Sequence, residues 1–169
     1  MITIWVPKRL VEIDLYNVAA RSPQALADLS EQSYAQRVDY AAQKVQLSGA
    51  KIVMLTGPSA SGKTTSAHKV AEALEASGTP AHVISLDNFF KGAQYYPRLP
   101  DGTLDYENPD TLDMSLIRQC LSDLSTTGKT VLPIYDFTTE SRSSETETLD
   151  LKGGVCIVEG IHAVSYTHL

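Results

Sequence analysis

The stretch Lys51-Ile52-Val53-Met54-Leu55-Thr56-Gly57-Pro58-Ser59-Ala60-Ser61-Gly62-Lys63-Thr64-Thr65 decides how the rest of the chain reads. Residues 51–56 are an apolar, β-branched run between Gly49 and Gly57, the pattern of a short strand buried on both faces. Gly57 to Thr64 then matches G-x-x-x-x-G-K-[ST] at every fixed position, a loop whose backbone N–H groups cradle phosphate oxygens. A helical stripe of Ala67, Val70, Ala71 and Leu74 follows, with Gly78 as its stop. Residues 81–86 form the next apolar run. Strand, loop, helix and strand in this order make a βαβ unit, so the strands are parallel and the fold class is α/β. In that setting Lys63 is placed to bridge the β- and γ-phosphates of a nucleotide, and the Thr64 hydroxyl to ligate Mg2+. A mere Gly/Ser-rich turn with a solvated lysine would leave the flanking strand and helix unexplained.

Parallel sheets bind ligands outside the carboxyl ends of their strands, which singles out the acids found there. Asp87 follows the second apolar run. Glu159 closes a later buried run over 155–158, introduced by Gly153-Gly154. Asp87 is a candidate proton acceptor for an attacking hydroxyl, with a turn-capping role as its alternative. Glu159 is a candidate ligand to Mg2+ or to a water on it. Residues 87–113 are rich in Pro, Gly, Asp, Asn and Tyr, lack a period and are too long for a passive connection, which marks them for substrate contact. Leu116, Ile117, Cys120, Leu121 and Leu124 predict an amphipathic helix ending near Gly128. Residues 130–137 then read as a strand, and 143–151 as its hairpin partner. Tyr135 and Phe137 lie two apart in that strand, so they share a face, either as a stacking platform for a planar base or as core aromatics. Upstream, Ser22-Pro23 and the spacing of Tyr34, Val38, Ala41 and Val45 predict a helix over 22–46, while residues 1–20 read as a strand or two.

Composition excludes several classes. Hydrophobic residues are 43% and charged residues 20% of the 169, the balance of an ordinary globular domain rather than a disordered chain. With 14 basic and 20 acidic residues the net charge is −6, a field that repels nucleic acid and anionic membrane alike. No apolar run approaches the ~20 residues that span a bilayer, and the run at residues 2–6 is too short for a signal-peptide core. Cys120 and Cys156 sit among apolar neighbours and are expected as reduced core residues of a cytoplasmic protein. His68, His82, His162 and His168 show no metal-ligand spacing.

Several further blocks carry a family resemblance: Ser85-Leu86-Asp87-Asn88-Phe89-Phe90, Tyr106-Glu107-Asn108-Pro109-Asp110 with Asp113, Pro133-Ile134-Tyr135-Asp136-Phe137 with Ser141-Arg142, and Val158-Glu159-Gly160-Ile161. Together with the phosphate loop they resemble the uridine kinase and phosphoribulokinase family of P-loop kinases over about residues 51–164. The resemblance implies a three-layer P-loop fold with a parallel sheet and a substrate-binding β-hairpin. It implies ATP-dependent phosphorylation of a nucleoside 5′-hydroxyl, uridine- or cytidine-like, with ATP and Mg2+ as cofactors. It puts Gly57, Pro58, Ser59, Ala60, Ser61, Gly62, Lys63, Thr64 and Thr65 on the nucleotide, Lys63 and Asp87 in catalysis, and Thr64 and Glu159 at the metal. Glu107, Tyr135, Phe137, Glu140 and Arg142 would contact the acceptor. Two positions depart from the family pattern: Glu107 replaces an Asp that holds ribose hydroxyls, and Glu140 replaces a His that reads the pyrimidine edge. An ionised carboxylate accepts and does not donate, so Glu140 suits an amino group better than a carbonyl oxygen.

A kinase of a sugar phosphate or of pantothenate, and a non-catalytic ATP-binding domain, are the alternatives. The first is disfavoured by Tyr135 and Phe137, the second by the presence of Lys63, Asp87 and Glu159 together. Residues 1–48 read as an N-terminal extension and 49–169 as a partial kinase domain, with the family's later strands, lid arginines and adenine-contacting loop absent. Residues 165–169 do not resemble the family's continuation and are expected to be non-native. An unpaired apolar edge on the phosphate-loop strand would then make the chain poorly soluble or inactive. The oligomeric state is left open.

Overall fold

The computed structural model describes residues 13–163 and divides the chain into two compact units, Met1–Gly49 and Ala50–Leu169. The first unit contributes α1 (Ile13–Ala19) and α2 (Pro23–Ser48). Pro23 occupies the first turn of α2, where its missing N–H is no loss, and Gly49 ends the helix in the left-handed region at φ +65°. The stripe of Tyr34, Val38, Ala41 and Val45 is the half-buried to buried side of α2, as its spacing predicts. The expected strands over residues 1–20 are corrected within the described part: residues 13–19 are helical, and the remainder lies outside the described residues.

The second unit starts with β1 (Ile52–Leu55), α3 (Lys63–Ala76) and β2 (Ala81–Ser85), the predicted βαβ unit. Short 3₁₀ turns at Leu86–Phe89, Ala93–Tyr95 and Pro109–Thr111 punctuate the long loop before α4 (Met114–Thr126). β3 (Lys129–Asp136) and β4 (Ser141–Asp150) pair antiparallel, with an irregularity at Pro133 to Tyr135 where proline cannot donate to the ladder. β5 (Val155–Glu159) returns to the centre of a parallel sheet ordered β1-β5-β2.

Register explains the layering. Ile52 pairs with Cys156 and Met54 with Val158, while Ile84 pairs with Val158, so these side chains share one face. That face carries the core of Ile84, Leu86, Phe89, Cys156 and Val158 together with Ile117, Cys120 and Leu124 of α4. The alternate β5 residues Val155, Ile157 and Glu159 face the α3 side, where Thr64 meets Glu159 and Ala67, Ala71 and Leu74 are buried. Every residue of β5 is buried, which suits its unbroken apolar run. Full burial of each large aliphatic side chain contributes about 1.5–3 kcal/mol.

Both cysteines are free and buried as expected. The Cys156 thiol is pushed up to about 12 by burial alone. Gly160 follows Glu159 because a Cβ there would come within 2.8 Å of the Leu86 Cβ. Leu86 is only 2% exposed and cannot give way. Among the described residues no helix is long and apolar enough to cross a membrane.

Candidate active site

The parallel register sets Leu55 opposite Glu159 and Ser85 opposite Glu159, so the carboxyl ends of all three strands lie level. The chain leaves β1 there through Gly57 to Gly62 and turns into α3 at Lys63. Ala60 at φ +55° and Gly62 at φ +80° bend the loop back on itself, the second at no steric cost because it lacks a Cβ. The loop's amides and the α3 N-terminus together form a concave donor surface with a partial positive charge, suited to phosphate. Lys63 folds over this loop, its Nζ donating to the Pro58 carbonyl at 2.9 Å.

The Thr64 hydroxyl donates to Glu159 Oε1 at 3.2 Å, and Glu159 is only 3% exposed. A buried carboxylate beside a hydroxyl at the mouth of a phosphate loop is a hard-oxygen pair. It fits a Mg2+ ion whose remaining ligands are water and nucleotide phosphate. Among the described residues no group of three or more His, Cys, Asp and Glu could hold a metal unaided.

Asp87 follows β2 at the same end, in the turn Leu86–Phe89, where its N–H donates to Ser85 Oγ at 3.3 Å. Its side chain is open to solvent on one side. Desolvation by the surrounding protein raises its pKa and the Glu159 carboxylate adds to this, while Lys63 and His162 oppose it. His162, three residues past Glu159, has a buried Nε2 with no partner among the described residues. The phosphate loop, both acids and Lys63 thus meet at one sheet edge, as sequence spacing predicts.

The acceptor-side residues are arranged differently from one another. Tyr135 is 7% exposed and its hydroxyl pairs with that of Tyr96 at 3.0 Å. Phe137 lies one residue beyond β3, is 63% exposed, and meets Tyr135 edge-on with ring centroids 5.1 Å apart. Phe90 continues the aromatic wall at 5.4 Å from Tyr135 and 5.8 Å from Tyr96, and Tyr106 meets Tyr96 at 5.5 Å. Burial, then the Tyr135 hydroxyl, pushes the Tyr96 phenol well above its ordinary pKa. Glu140 sits at φ +48° in the hairpin tip, and its Oε1 accepts from the Tyr106 hydroxyl at 3.2 Å. Glu107 is exposed beside Tyr106. Arg142 turns instead toward Asp113 and the carbonyls of Phe89 and Phe90.

Sequence reading did not assign Tyr96, Tyr106 or Phe90 to this wall. Phe90 and Tyr106 stood in blocks that carry the family resemblance but with no role given, and for Tyr96 the signal was the composition of the aperiodic loop, which marks a region and not a side chain.

The description of the phosphoribulokinase and uridine kinase family matches residues 52–169. A uridine-cytidine kinase-like 1 protein of Mus musculus is 38% identical over 111 residues, covering 64% of this chain and 20% of that one. Uridine kinase of Schizosaccharomyces pombe is 34% identical over 118 residues, 68% of this chain and 25% of the relative. Uridine kinase of Ureaplasma parvum serovar 3 is 30% identical over 114 residues, 67% of this chain and 54% of the relative. The chain therefore spans about half the length of this bacterial relative and a quarter or less of the other two. A solved structure of a possible uridine kinase from Bacillus stearothermophilus superimposes with a TM-score of 0.59 at 23% identity, over 74% of this chain and 70% of that one. D-glycerate 3-kinase from Cryptococcus neoformans gives a TM-score of 0.56 at 27% identity, over 78% and 51%. With a parallel sheet, a phosphate loop and two acids at one edge, and a family match over most of its length, the chain belongs to the phosphoribulokinase and uridine kinase family of P-loop kinases.

Proposed function

We propose that the chain carries the phosphate-binding and acceptor-activating part of a nucleoside kinase that moves the γ-phosphoryl group of ATP to a 5′-hydroxyl. The carrying observation is the register that levels Leu55, Glu159 and Ser85, with Thr64 bonded to Glu159 and Asp87 in the field of both Glu159 and Lys63. Asp87 accepts the hydroxyl proton as the oxygen bonds to phosphorus. The bond to the bridging oxygen breaks, and the electron pair leaves with ADP. Lys63 exchanges the Pro58 carbonyl for phosphate oxygens and offsets their charge. The raised pKa of Asp87 makes it a better base than an ordinary aspartate once ionised. Thr64 and Glu159 would hold Mg2+, which supplies charge neutralisation across the phosphates.

On the acceptor side, exposed Phe137 and the wall behind it offer a stacking face to a planar base. Tyr106 occupies one oxygen of Glu140 and leaves the other to accept a hydrogen bond, so a base edge with an exocyclic amino group fits better than one with a carbonyl. Exposed Glu107 would accept from ribose hydroxyls. These acids also set a field that disfavours a phosphorylated acceptor.

The test is acceptor-dependent ADP release with cytidine, uridine, ribulose 5-phosphate and pantothenate. Turnover with the nucleosides, faster with cytidine, is expected. Turnover with ribulose 5-phosphate alone would refute the nucleoside assignment, and turnover with none by a complete, folded version of the kinase would refute the kinase.

A further inference from the structure

Arg142 joins three segments that are far apart in sequence. It belongs to β4, yet its Nη1 donates to Asp113 Oδ2 at 3.1 Å, and its Nη2 to the Phe89 and Phe90 carbonyls at 3.4 and 3.3 Å. Asp113 is itself the N-cap of α4, accepting from the Leu116 N–H at 3.1 Å and the Ser115 hydroxyl at 2.8 Å. The Asp113 N–H returns to the Phe89 carbonyl at 2.9 Å, and the Lys91 N–H reaches Thr111 at 2.9 Å. Phe89 closes the turn that carries Asp87. One half-buried cation therefore touches the acceptor-side hairpin, the start of α4 and the turn bearing the proposed base.

We propose that Arg142 is a positioning residue that clamps the Asp87 turn to the hairpin, and that it does not contact the acceptor. The inference rests on Asp87 being the base. A four-residue 3₁₀ turn has poor hydrogen-bond geometry and little stability of its own. Charge-assisted bonds from outside supply what the turn lacks. Only a planar fork with several fixed donors reaches a carboxylate and two carbonyls at once. A lysine has one rotating head and would keep the Asp113 pair but not the geometry. The clamp also makes hairpin and base one rigid body, so an acceptor stacked on Phe137 would meet Asp87 at a fixed reach. Loss of about 1 Å in that alignment is enough to cost on the order of 10²-fold in rate.

The experiment compares the full chain with Arg142→Lys, Arg142→Ala, Asp113→Asn and the Arg142→Lys/Asp113→Asn pair, by amide hydrogen exchange and by steady-state kinetics. In Arg142→Ala the Lys91 and Asp113 amides should exchange at least about tenfold faster, while the α3 amides keep their protection as the control for folding. kcat should fall about 10- to 100-fold with the acceptor KM within about threefold, Arg142→Lys should be intermediate, and the pair should be no worse than its worse single variant. A rise in acceptor KM at unchanged kcat would make Arg142 an acceptor contact and overturn the clamp. So would unchanged exchange at Lys91 and Asp113. If a complete, folded version of the kinase phosphorylates no acceptor, the kinase reading fails on its own, and the exchange result still decides the clamp.

Discussion

Asp87 sits in a field that works against its own ionised form. Desolvation and the Glu159 carboxylate raise its pKa, and Lys63 and His162 offset them only in part. A carboxyl with a raised folded pKa stabilises the fold below its unfolded pKa, and that contribution is lost as pH rises through the folded value. Near neutrality the ionised Asp87 therefore costs the fold some stability, and its proton affinity, the property the proposed base needs, is higher than that of an ordinary aspartate. In metal-free protein, an NMR titration of the Asp87 carboxyl should have its midpoint above the ordinary aspartate value of about 3.9, and Glu159→Gln should lower that midpoint. A midpoint at or below the ordinary value would remove this account of the base. On the catalytic side, Asp87→Asn should reduce kcat by about 10²- to 10⁴-fold while leaving nucleotide affinity intact, read by single-turnover phosphoryl transfer beside a nucleotide titration. An equal loss in both would place Asp87 on the nucleotide instead.

Several polar contacts hold the hairpin to the loop after β2, and two of them differ in kind. Tyr96 and Tyr135 share one buried hydroxyl pair, so Tyr96→Phe or Tyr135→Phe alone strands a hydroxyl and should cost about 1–3 kcal/mol in urea unfolding. The double variant strands nothing and should cost less than the sum of the singles, whereas additive losses would show that the pair is not coupled. Asp113 shows the opposite sign from Asp87. Burial works to raise its pKa, but the Leu116 N–H, the Ser115 hydroxyl and Arg142 outweigh it and hold the carboxyl below its usual range. That contribution is present above the unfolded pKa and lost as pH falls through the folded one, so it fades below about pH 4. Asp113→Asn still caps α4 but should flatten the acid side of the stability curve, and an acid limb identical to the parent's would count against the contact.

These two contacts also show what a sequence conveys and what it withholds. β1, α3, β2, α4 and β5 were legible because each is specified by local spacing, and the phosphate loop and both acids followed from where those elements end. Tyr96 lies 39 residues from Tyr135 and Tyr106 lies 34 from Glu140, so no local period carries the aromatic wall. Arg142 was visible as a motif residue, but its partners depend on how the hairpin folds over the turn.

At the scale of the molecule, the two compact units differ in how much structure each can protect. α2 is 26 residues long, yet its buried residues are Ala42 and Val45. Leu29, Tyr40 and Leu47 on the same helix are exposed. A helix with so little buried surface is near the low end of the local stability range, since packing supplies most helix stability. β5, by contrast, is buried throughout and is paired on both sides. β1 pairs with β5 along one edge, and its Ile52, Val53, Met54 and Leu55 are only half-buried. Brief proteolysis under native conditions should therefore cut first within residues 20–48, leaving a resistant product that begins near residue 50 and keeps β1 to β5. Mass spectrometry of the early products decides it. First cuts inside β1, α3 or β5 would mean that the sheet, and not α2, is the less stable part. Cuts confined to 87–113 would mean that the Arg142 clamp and the Tyr96 pair hold that loop less firmly than their geometry implies.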